Sequence, residues 1–270
     1  MMSSTSLFTT GCTEPTLCVL TNACSPFSVS LAQNLAARLA PRSCLLLIDS
    51  RQIRKLESLR ADFAKKHPQI HVALCQSLDL ATAQNVECTQ VFSYSFLGAP
   101  MSTFSNSLLV LDSSDNGDVA KMTKTFSDTQ DARLLRSVMA STVTGALTFT
   151  SVFLHECQSI DRRFIAIVDA EAETGPECIV KSARQTFARC LSDEQPGLRV
   201  LNYTIPKCTV SNGHVEHHRN IDTALADGLV KLLDRNQYNN GSLVHISSSG
   251  LGNYVIDYAT CSRPAGYKRT

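Results

Sequence analysis

A regular alternation of short apolar runs with helical patterns is the feature that most constrains the fold of this chain. Leu17 to Leu20 and Cys44 to Ile48 are continuous apolar runs of strand length. Between them, Ser25-Pro26 provides an N-cap and a first helical residue, and apolar side chains recur every four positions from Phe27 to Leu39. This alternation is typical of βαβ units, so the sequence predicts an α/β fold with a mostly parallel, twisted central sheet flanked by helices.

The same alternation continues to residue 247. We predict further strands at Ile70–Leu74, Leu108–Leu111, Phe164–Val168, Leu198–Tyr203 and Leu243–Ile246, and further helices at Ile53–Lys66, Leu134–Leu154, Cys178–Leu191 and Ile221–Leu233. No linker or repeat interrupts this pattern, which indicates a single Rossmann-like, three-layer domain over residues 17–247. Residues 1–16 are expected to form an N-terminal extension, and residues 248–270 a loosely organised C-terminal tail.

The composition excludes several classes of partner. The net charge is +1, Trp is absent and aromatic residues are 6% of the chain, so we expect no basic or stacking surface for nucleic acid. The low charge also argues against capture by an anionic membrane surface. The apolar stretches are judged too short to span a bilayer, so no membrane segment is predicted. Neutral partners or small molecules are therefore expected.

The eleven cysteines favour a reducing compartment. Their number is odd, they are scattered from Cys12 to Cys261 and no C-x-x-C pair occurs, so neither a disulfide framework nor a zinc pattern is predicted. Met1 to Thr16 lacks a basic start followed by a long apolar run, so no secretory signal is predicted. These features predict a cytoplasmic protein with reduced thiols.

A turn follows the first strand at the place where dinucleotide-binding domains hold the cofactor phosphates. It reads T-N-A-C-S-P-F-S, from Thr21 to Ser28. With the segments C-V-L-T-N-A, L-L-L-I-D-S-R, S-L-D-L-A-T, G-D-V-A-K and L-R-V-L-N-Y, in this order and spacing, the chain resembles the short-chain dehydrogenase/reductase superfamily. Within it, the chain is most similar to the sepiapterin reductase family. The resemblance implies an NADPH-dependent reductase of sepiapterin or another carbonyl, acting in tetrahydrobiopterin synthesis.

The resemblance assigns cofactor contacts to Asn22, Ser25, Ser28, Arg51, Asp79 and Lys181. The three glycines of the family's phosphate turn fall on Asn22, Pro26 and Ser28. Asn tolerates a left-handed conformation and Ser is small, but Pro26 removes an amide donor and places a ring where the cofactor would approach. The sequence therefore predicts weak or no binding of NADP.

Two positions favour residual NADP binding. Arg51 follows the second strand, where NADP-preferring members hold the 2′-phosphate, and Asp79 matches the residue that contacts the adenine amino group. The alternative for Arg51 is a solvated charge in a basic segment, and for Asp79 a helix N-cap. The neighbouring Asp49 would repel a phosphate. Both alternatives stay open.

The catalytic motifs of the family are altered. Its Y-x-x-x-K pair falls on Glu177 and Lys181, so only the Lys is retained. Its catalytic Ser falls near Asp169-Ala170, and the structural Asn of the long helix falls at or near Ser141. In the family the Tyr protonates the carbonyl oxygen, whereas a Glu is ionised at neutral pH and has no proton to give. These changes predict a pseudoenzyme with a binding or regulatory role. The alternative is an active NADPH-dependent reductase that uses other groups.

Three further patterns complete the expectations. Glu177 and Lys181 have the i, i+4 spacing of a helical ion pair, which is the alternative to a ribose contact by Lys181. H-V-E-H-H, His214 to His218, has the spacing of metal ligands on one helix face, but it follows Ser-Asn-Gly, so we predict a polar loop and no metal. Small residues in the helix Leu134–Leu154 favour a homodimer, or a heterodimer with a related reductase, because the family pairs such helices between subunits. Close packing of this helix inside one subunit is the alternative.

Overall fold

The computed structural model describes residues 14–114, 129–172, 175–195, 197–206, 215–235, 240–248 and 254–259. The strands within these ranges are β1 (Thr16–Thr21), β2 (Cys44–Ile48), β3 (His71–Cys75), β4 (Asn106–Asp112), β5 (Arg162–Ala170), β6 (Leu198–Ile205), β7 (Ser242–Ser248) and β8 (Tyr254–Ala259). They form one sheet in the order β3-β2-β1-β4-β5-β6-β7-β8. All neighbours pair in parallel except β8, which is an antiparallel edge strand beside β7.

Helices cover both faces of this sheet. They are α1 (Pro26–Ala36), α2 (Ile53–Lys66), α3 (Asn85–Gln90), α4 (Tyr94–Leu97), α5 (Thr129–Met139), α6 (Gly145–Glu156), α7 (Gly175–Glu194) and α8 (Val215–Arg235), with a π-helical segment (Ala140–Thr144) between α5 and α6. One core contains Leu31 of α1, Phe63 of α2 and Leu229 of α8. The core on the opposite face contains Phe149 of α6 and Phe187 of α7, with α3 and α4 beside them. The predicted three-layer α/β sandwich with a mostly parallel sheet is confirmed.

The strand order creates a crevice at the centre of the sheet. From β1 the chain proceeds outward to β2 and β3, and it then crosses to β4 on the other side of β1 and proceeds to β7. β1 and β4 are buried at every residue, as expected of central strands that are covered on both faces. Because the connections diverge between β1 and β4, their carboxyl ends border the place where doubly wound sheets bind ligands.

Most predicted elements match the structure closely. The strand Cys44–Ile48 and the helix Ile53–Lys66 coincide with β2 and α2. The helices α3 and α4 were not predicted, because six and four residues are too few for a helical period to be recognised. Strand β8 was not predicted either, and it lies within residues 248–270, where a loosely organised tail was expected. The division into extension, domain and tail stays a prediction.

The predicted helix Leu134–Leu154 corresponds to α5, the π segment and α6. Over Ala132–Glu156, 25 residues, it is long and apolar enough to cross a membrane by length and composition alone. The expectation that no stretch reaches this length is therefore wrong. In the structure Phe149 and Phe153 of this helix are fully buried against the sheet, which is the placement of a core helix.

Gly145 brings this long helix close to the loop after β3. A Cβ atom at Gly145 would lie 2.0 Å from the carbonyl oxygen of Leu80, so any larger residue would push the helix away. The glycine therefore fixes the distance between the π segment and the loop after β3, which face each other across the central crevice.

Two sequence predictions concern His and Cys side chains. Helix α8 begins at Val215, so the polar loop predicted for His214 to His218 is wrong from residue 215 onward. His214 and the side chains of His217 and His218 lie outside the described residues. The eight described cysteines are free thiols, and burial raises the pKa of Cys44 and of Cys157 to about 12. These two thiols are thus protonated at neutral pH and pack as small apolar groups.

Candidate functional site

A cavity of about 240 Å³ opens at the crevice between β1 and β4. The ends of β1, β2 and β4 border it, together with the loop after β3, the π segment and α7. Its polar lining includes Asn22, Asp49, Arg51, Asp79, Asp112, Ser141 and Arg184, and its apolar lining includes Ile48, Leu78, Leu80, Leu111 and Ala146. Ordinary ligand pockets measure about 300–1,000 Å³, so this cavity lies slightly below the usual size.

The turn between β1 and α1 uses acceptors of the chain itself for its amide donors. Asn22 has a φ of 51°, which confirms the left-handed conformation expected there. The amide of Ala23 donates to the backbone of β2 at 3.1 Å, and the amide of Ser25 donates to the Asn22 carbonyl at 2.9 Å. The amide of Ser28 donates to the Ser25 hydroxyl at 2.9 Å, which caps α1. Pro26 has no amide and lies exposed at the first position of the helix.

Asp112, the last residue of β4, binds this turn from the opposite side. Its Oδ2 accepts hydrogen bonds from the hydroxyl of Ser25 at 2.5 Å and from that of Ser28 at 2.7 Å. Its Oδ1 accepts the amide of Ser114 at 2.8 Å, and only 7% of the residue is exposed. Burial raises the pKa of the Asp112 carboxyl above its ordinary value, and the hydrogen bonds from the three serines oppose that shift.

A second carboxylate, Asp49, holds the other side of the turn. Its Oδ2 accepts the amide of Cys24 at 3.1 Å, and its Oδ1 accepts the amide of Arg51 at 2.9 Å. The ammonium group of Lys55 donates to the Cys24 carbonyl at 2.6 Å. Burial, with a smaller effect of Asp49, raises the pKa of the Cys24 thiol to about 12, so this thiol is protonated. The turn is thus clamped between two buried carboxylates.

These contacts do not fit the pyrophosphate of a dinucleotide. A phosphate binds at a helix N-terminus where free amides point at it. Here the amides of four residues between positions 22 and 28 donate to acceptors of the chain itself. Asp49 and Asp112 also place two carboxylates beside the turn, and carboxylates repel a phosphate. The expectation of weak NADP binding, which Pro26 raised, therefore extends to these four amides of the turn.

The far side of the cavity contains the two positions expected to favour NADP. Arg51 is exposed, and its Nη2 donates to Asn22 Oδ1 at 2.7 Å. Asp79 is exposed too, and its Oδ1 accepts the amide of Ala81 at 3.0 Å. The helix N-cap alternative is wrong, because Asp79 caps a turn and the next helix begins only at Asn85. The structure brings Asn22, Arg51 and Asp79 together around one cavity, and their role toward a cofactor stays a prediction.

A buried ion pair lies near the place expected for the catalytic groups. Nε of Arg184, on α7, donates to Asp169 Oδ1 at 2.6 Å, with only 2% and 5% of the two side chains exposed. Its Nη1 donates to the Thr142 carbonyl in the π segment at 2.6 Å, and its Nη2 to the Leu111 carbonyl at 2.7 Å. The hydroxyl of Ser113 donates to the same Asp169 oxygen at 2.7 Å. Arg184 therefore joins α7 to the π segment, β4 and β5.

The predicted catalytic residues do not gather around the cavity. Glu177 and Lys181 lie half-buried on the first turns of α7. Within the described residues, the cavity lining includes Arg184 but not Asp169, Glu177 or Lys181. Ser141 does line the cavity, and its hydroxyl donates to a carbonyl one turn earlier, at 3.1 Å. The catalytic assignments and the Glu177–Lys181 ion pair stay predictions.

The carboxyl ends of β5 and β6 carry buried polar atoms that lack partners. Asp169 Oδ2, Thr204 Oγ1 and both polar atoms of the Asn202 side chain have no hydrogen-bond partner in the described part of the chain. Asp169 and Thr204 are register partners on these adjacent strands. On β7, His245 Nε2 lies 3.1 Å from Glu171 Oε1. Polar groups on this side of the sheet are thus less completely satisfied than those of the turn.

Asp112 and Arg184 were not among the predicted site residues. Asp112 ends the buried apolar run L-L-V-L-D, and Arg184 interrupts an apolar side of α7 that includes Val180 and Phe187. A charged side chain in a buried setting is expected to have a partner. A charged residue within a buried apolar segment therefore marks both Asp112 and Arg184 in the sequence, but it does not identify the partner of either residue.

Comparisons with known proteins agree with this architecture. No protein-family model matches the chain. Sepiapterin reductase of Xenopus tropicalis is 31% identical to it over 203 residues, which are 72% of this chain and 74% of that protein. Sepiapterin reductase of Rattus norvegicus is 26% identical over 224 residues, 80% of this chain and 83% of that protein.

Solved structures show the same fold at lower sequence identity. L-sorbose reductase from Gluconobacter frateurii, complexed with NADPH and L-sorbose, is similar with a TM-score of 0.66 and 16% identity, over 88% of this chain and 97% of that chain. At this identity the structural similarity concerns the fold alone.

Proposed function

Because the chain belongs to the short-chain dehydrogenase/reductase superfamily and is similar to sepiapterin reductases, we propose that it is a pseudoenzyme of that family with a binding or regulatory role. The observation that carries the proposal is the turn between β1 and α1. Four of its amides, and the hydroxyls of Ser25 and Ser28, donate to acceptors of the chain, including Asp49 and Asp112. With these donors engaged by the chain itself, the turn would hold a dinucleotide phosphate weakly, which supports the proposal.

The replaced catalytic groups support the same proposal. Asp169 is bound to the Arg184 guanidinium and to Ser113, so the Asp169 oxygen that they share is not free to contact a substrate carbonyl. The resemblance puts Glu177 at the position of the family's proton-donating Tyr. Loss of a positioned general acid alone lowers a rate by about 10²–10⁴.

An active NADPH-dependent reductase is the second candidate. Arg51 and Asp79 border one cavity, in the places where the family contacts NADP, and the identity to a sepiapterin reductase reaches 31%. In this alternative the protein reduces sepiapterin or another carbonyl in tetrahydrobiopterin synthesis, and NADP is its cofactor.

The proposed binding role has two sides. The cavity would accept a small pterin or carbonyl compound. The exposed apolar residues Leu147 of α6 and Ile179 of α7, each 43% exposed, support a homodimer or a heterodimer with a related reductase through these helices. We propose a cytoplasmic location, which the odd number and the scatter of the cysteines support. Light scattering at tens of micromolar, alone and with a related reductase, tests the dimer, and a monomer in both samples would contradict it.

The test of the function is NADPH oxidation with sepiapterin, measured for the wild type and for Glu177→Tyr. We expect no turnover above background from either protein. The substitution returns a proton donor but leaves the closed turn and the Asp169–Arg184 pair in place, and catalytic residues that act as a unit are strongly non-additive. Turnover by the wild type would establish the second candidate. A gain from Glu177→Tyr alone would show that the cofactor site works.

A further inference from the structure

Asp112 does more than close a loop, because its carboxylate is placed at the N-terminus of α1. Both serines that it binds belong to the first turn of that helix: Ser25 is its N-cap, and Ser28 donates its own amide to the Ser25 hydroxyl. The Asp112 carboxylate, the two hydroxyls and this amide thus form one chain of hydrogen bonds. A helix N-terminus favours a nearby anion, and here the anion is supplied from β4 of the same protein.

We propose that Asp112 is a built-in anion that takes the place of a phosphate group at α1 and restricts the cavity to small ligands without phosphate. The inference deepens the proposed function and rests on it, because it names the class of ligand that the altered site accepts. Two hydroxyls and one amide lie within hydrogen-bond distance of the two carboxylate oxygens, so each oxygen of the ionised group has at least one donor.

The charges around the cavity support this selection. Three carboxylates line it, those of Asp49, Asp79 and Asp112. Two guanidinium groups line it as well, but that of Arg184 is bound to the buried Asp169. Arg51 is therefore the one lining cation, within the described residues, that is not bound to a buried carboxylate side chain. Lys55 lies beside the turn as a further cation, so the three carboxylates exceed the nearby unpaired cations by one, and this excess disfavours phosphates.

The shape and the apolar lining favour an uncharged ligand. Ile48, Leu111 and Ala146 contribute apolar surface next to the polar rim, and the volume of about 240 Å³ suits a compact molecule. A merely structural Asp112 would also close the turn, but it would have no influence on which ligands bind. The two roles therefore differ in what happens to phosphate affinity when the charge is removed.

The experiment is a fluorescence titration with NADPH of the full chain and its variants. Asp112→Asn keeps the shape of the side chain without the charge, and Asp112→Ala removes its hydrogen bonds too. We expect both variants to bind NADPH about tenfold more tightly than the wild type, or more, because a like charge beside the phosphates is gone. Asp62→Asn removes an equal charge from the exposed side of α2, and we expect it to match the wild type.

Ser28→Ala separates charge from hydrogen bonding. It removes one donor to Asp112 but leaves the carboxylate, so NADPH binding should stay as weak as in the wild type. Circular dichroism shows whether each variant is folded. If one of Asp112→Asn and Asp112→Ala is not folded, the NADPH affinity of the other one decides the test. NADPH affinities of the Asp112 variants within about twofold of the wild type would overturn the proposal. So would a gain in Ser28→Ala equal to that in Asp112→Asn.

The outcome is independent of the turnover test. Reduction of sepiapterin by the wild type would end the proposed function. The ratio of NADPH affinities between Asp112→Asn and the wild type would still decide whether Asp112 opposes phosphate binding.

Discussion

Two buried carboxylates end neighbouring strands of the sheet, and they differ in their partners. Asp112 ends β4 and is bound by two serine hydroxyls and an amide, all of them neutral. Asp169, near the end of β5, is bound by the Arg184 guanidinium. Asp112 pairs in the sheet with Val168, the residue before Asp169. The two carboxylates therefore lie one residue apart in register, at the same edge of adjacent strands.

Because their partners differ, Asp112 and Asp169 are expected to have different effects on ligand binding and on stability. The donors around Asp112 are neutral, so its carboxylate, where ionised, acts with an uncancelled charge on whatever enters the cavity. The guanidinium cancels the charge of Asp169, and the pair joins α7 to the rest of the structure. Asp112 should therefore govern ligand choice more than stability, whereas Arg184 should govern stability more than ligand choice.

The largest expected effect is that of breaking the Arg184 pair. Arg184→Met leaves Asp169 buried without a cation. It also removes the guanidinium donors that bind the Thr142 and Leu111 carbonyl oxygens. Removal of one partner of a buried pair costs about 3–5 kcal/mol. Since domains are stable by about 5–15 kcal/mol, urea unfolding should show a large fall in the free energy of unfolding.

A double variant sharpens this result. Arg184→Met with Asp169→Leu removes both charges, and the loss should be clearly smaller than that of Arg184→Met alone, because no uncompensated charge stays buried. A loss of stability below about 1 kcal/mol in Arg184→Met would contradict the contribution of about 3–5 kcal/mol expected for the buried pair. Equal losses in the single and double variants would show that the carbonyl contacts, not the charge pairing, supply the stability.

The sequence predicts the fold and part of the site, but not the partners of Asp112 and Arg184. Alternating apolar runs were sufficient for the fold, because strands covered on both faces must be apolar throughout. Asn22, Arg51 and Asp79 were found around one cavity because residues that follow parallel strands meet at one edge of the sheet. The partners of Asp112 and Arg184 were not found, since they depend on strand register and on the rotation of α7. Patterns of neighbouring residues in the sequence specify neither the strand register nor the rotation of α7.

The next prediction concerns the pH dependence of stability. Burial raises the pKa of Asp112 in the folded protein above its ordinary value of 3.8. From that value upward the unfolded chain loses its proton before the folded protein does, so this group makes stability fall as pH rises through the raised pKa. Asp112→Asn cannot titrate. Its free energy of unfolding should therefore gain on that of the wild type with increasing pH.

Urea unfolding of both proteins from about pH 4 to about pH 8 measures this difference. The comparison uses the change with pH, because the amide that replaces Oδ1 or Oδ2 adds an offset that does not depend on pH. Parallel curves over the whole range would show that the serine hydrogen bonds fully offset the burial of the carboxyl. Asp112 would then be ionised at neutral pH, as the contrast in charge with Asp169 requires.

The smallest expected effect belongs to the rim of the cavity, where Arg51 donates to Asn22 in solvent. Exposed polar contacts contribute about 0–1 kcal/mol, because water competes for both groups. Arg51→Ala should thus change the free energy of unfolding by less than about 0.5 kcal/mol, as should Arg54→Ala, its exposed neighbour on α2. A loss above about 1 kcal/mol in Arg51→Ala alone would mean that the rim contact holds the left-handed turn at Asn22. The turn would then depend on Arg51 as well as on the buried carboxylates, and Arg51 would be engaged by the protein itself instead of being free for a ligand.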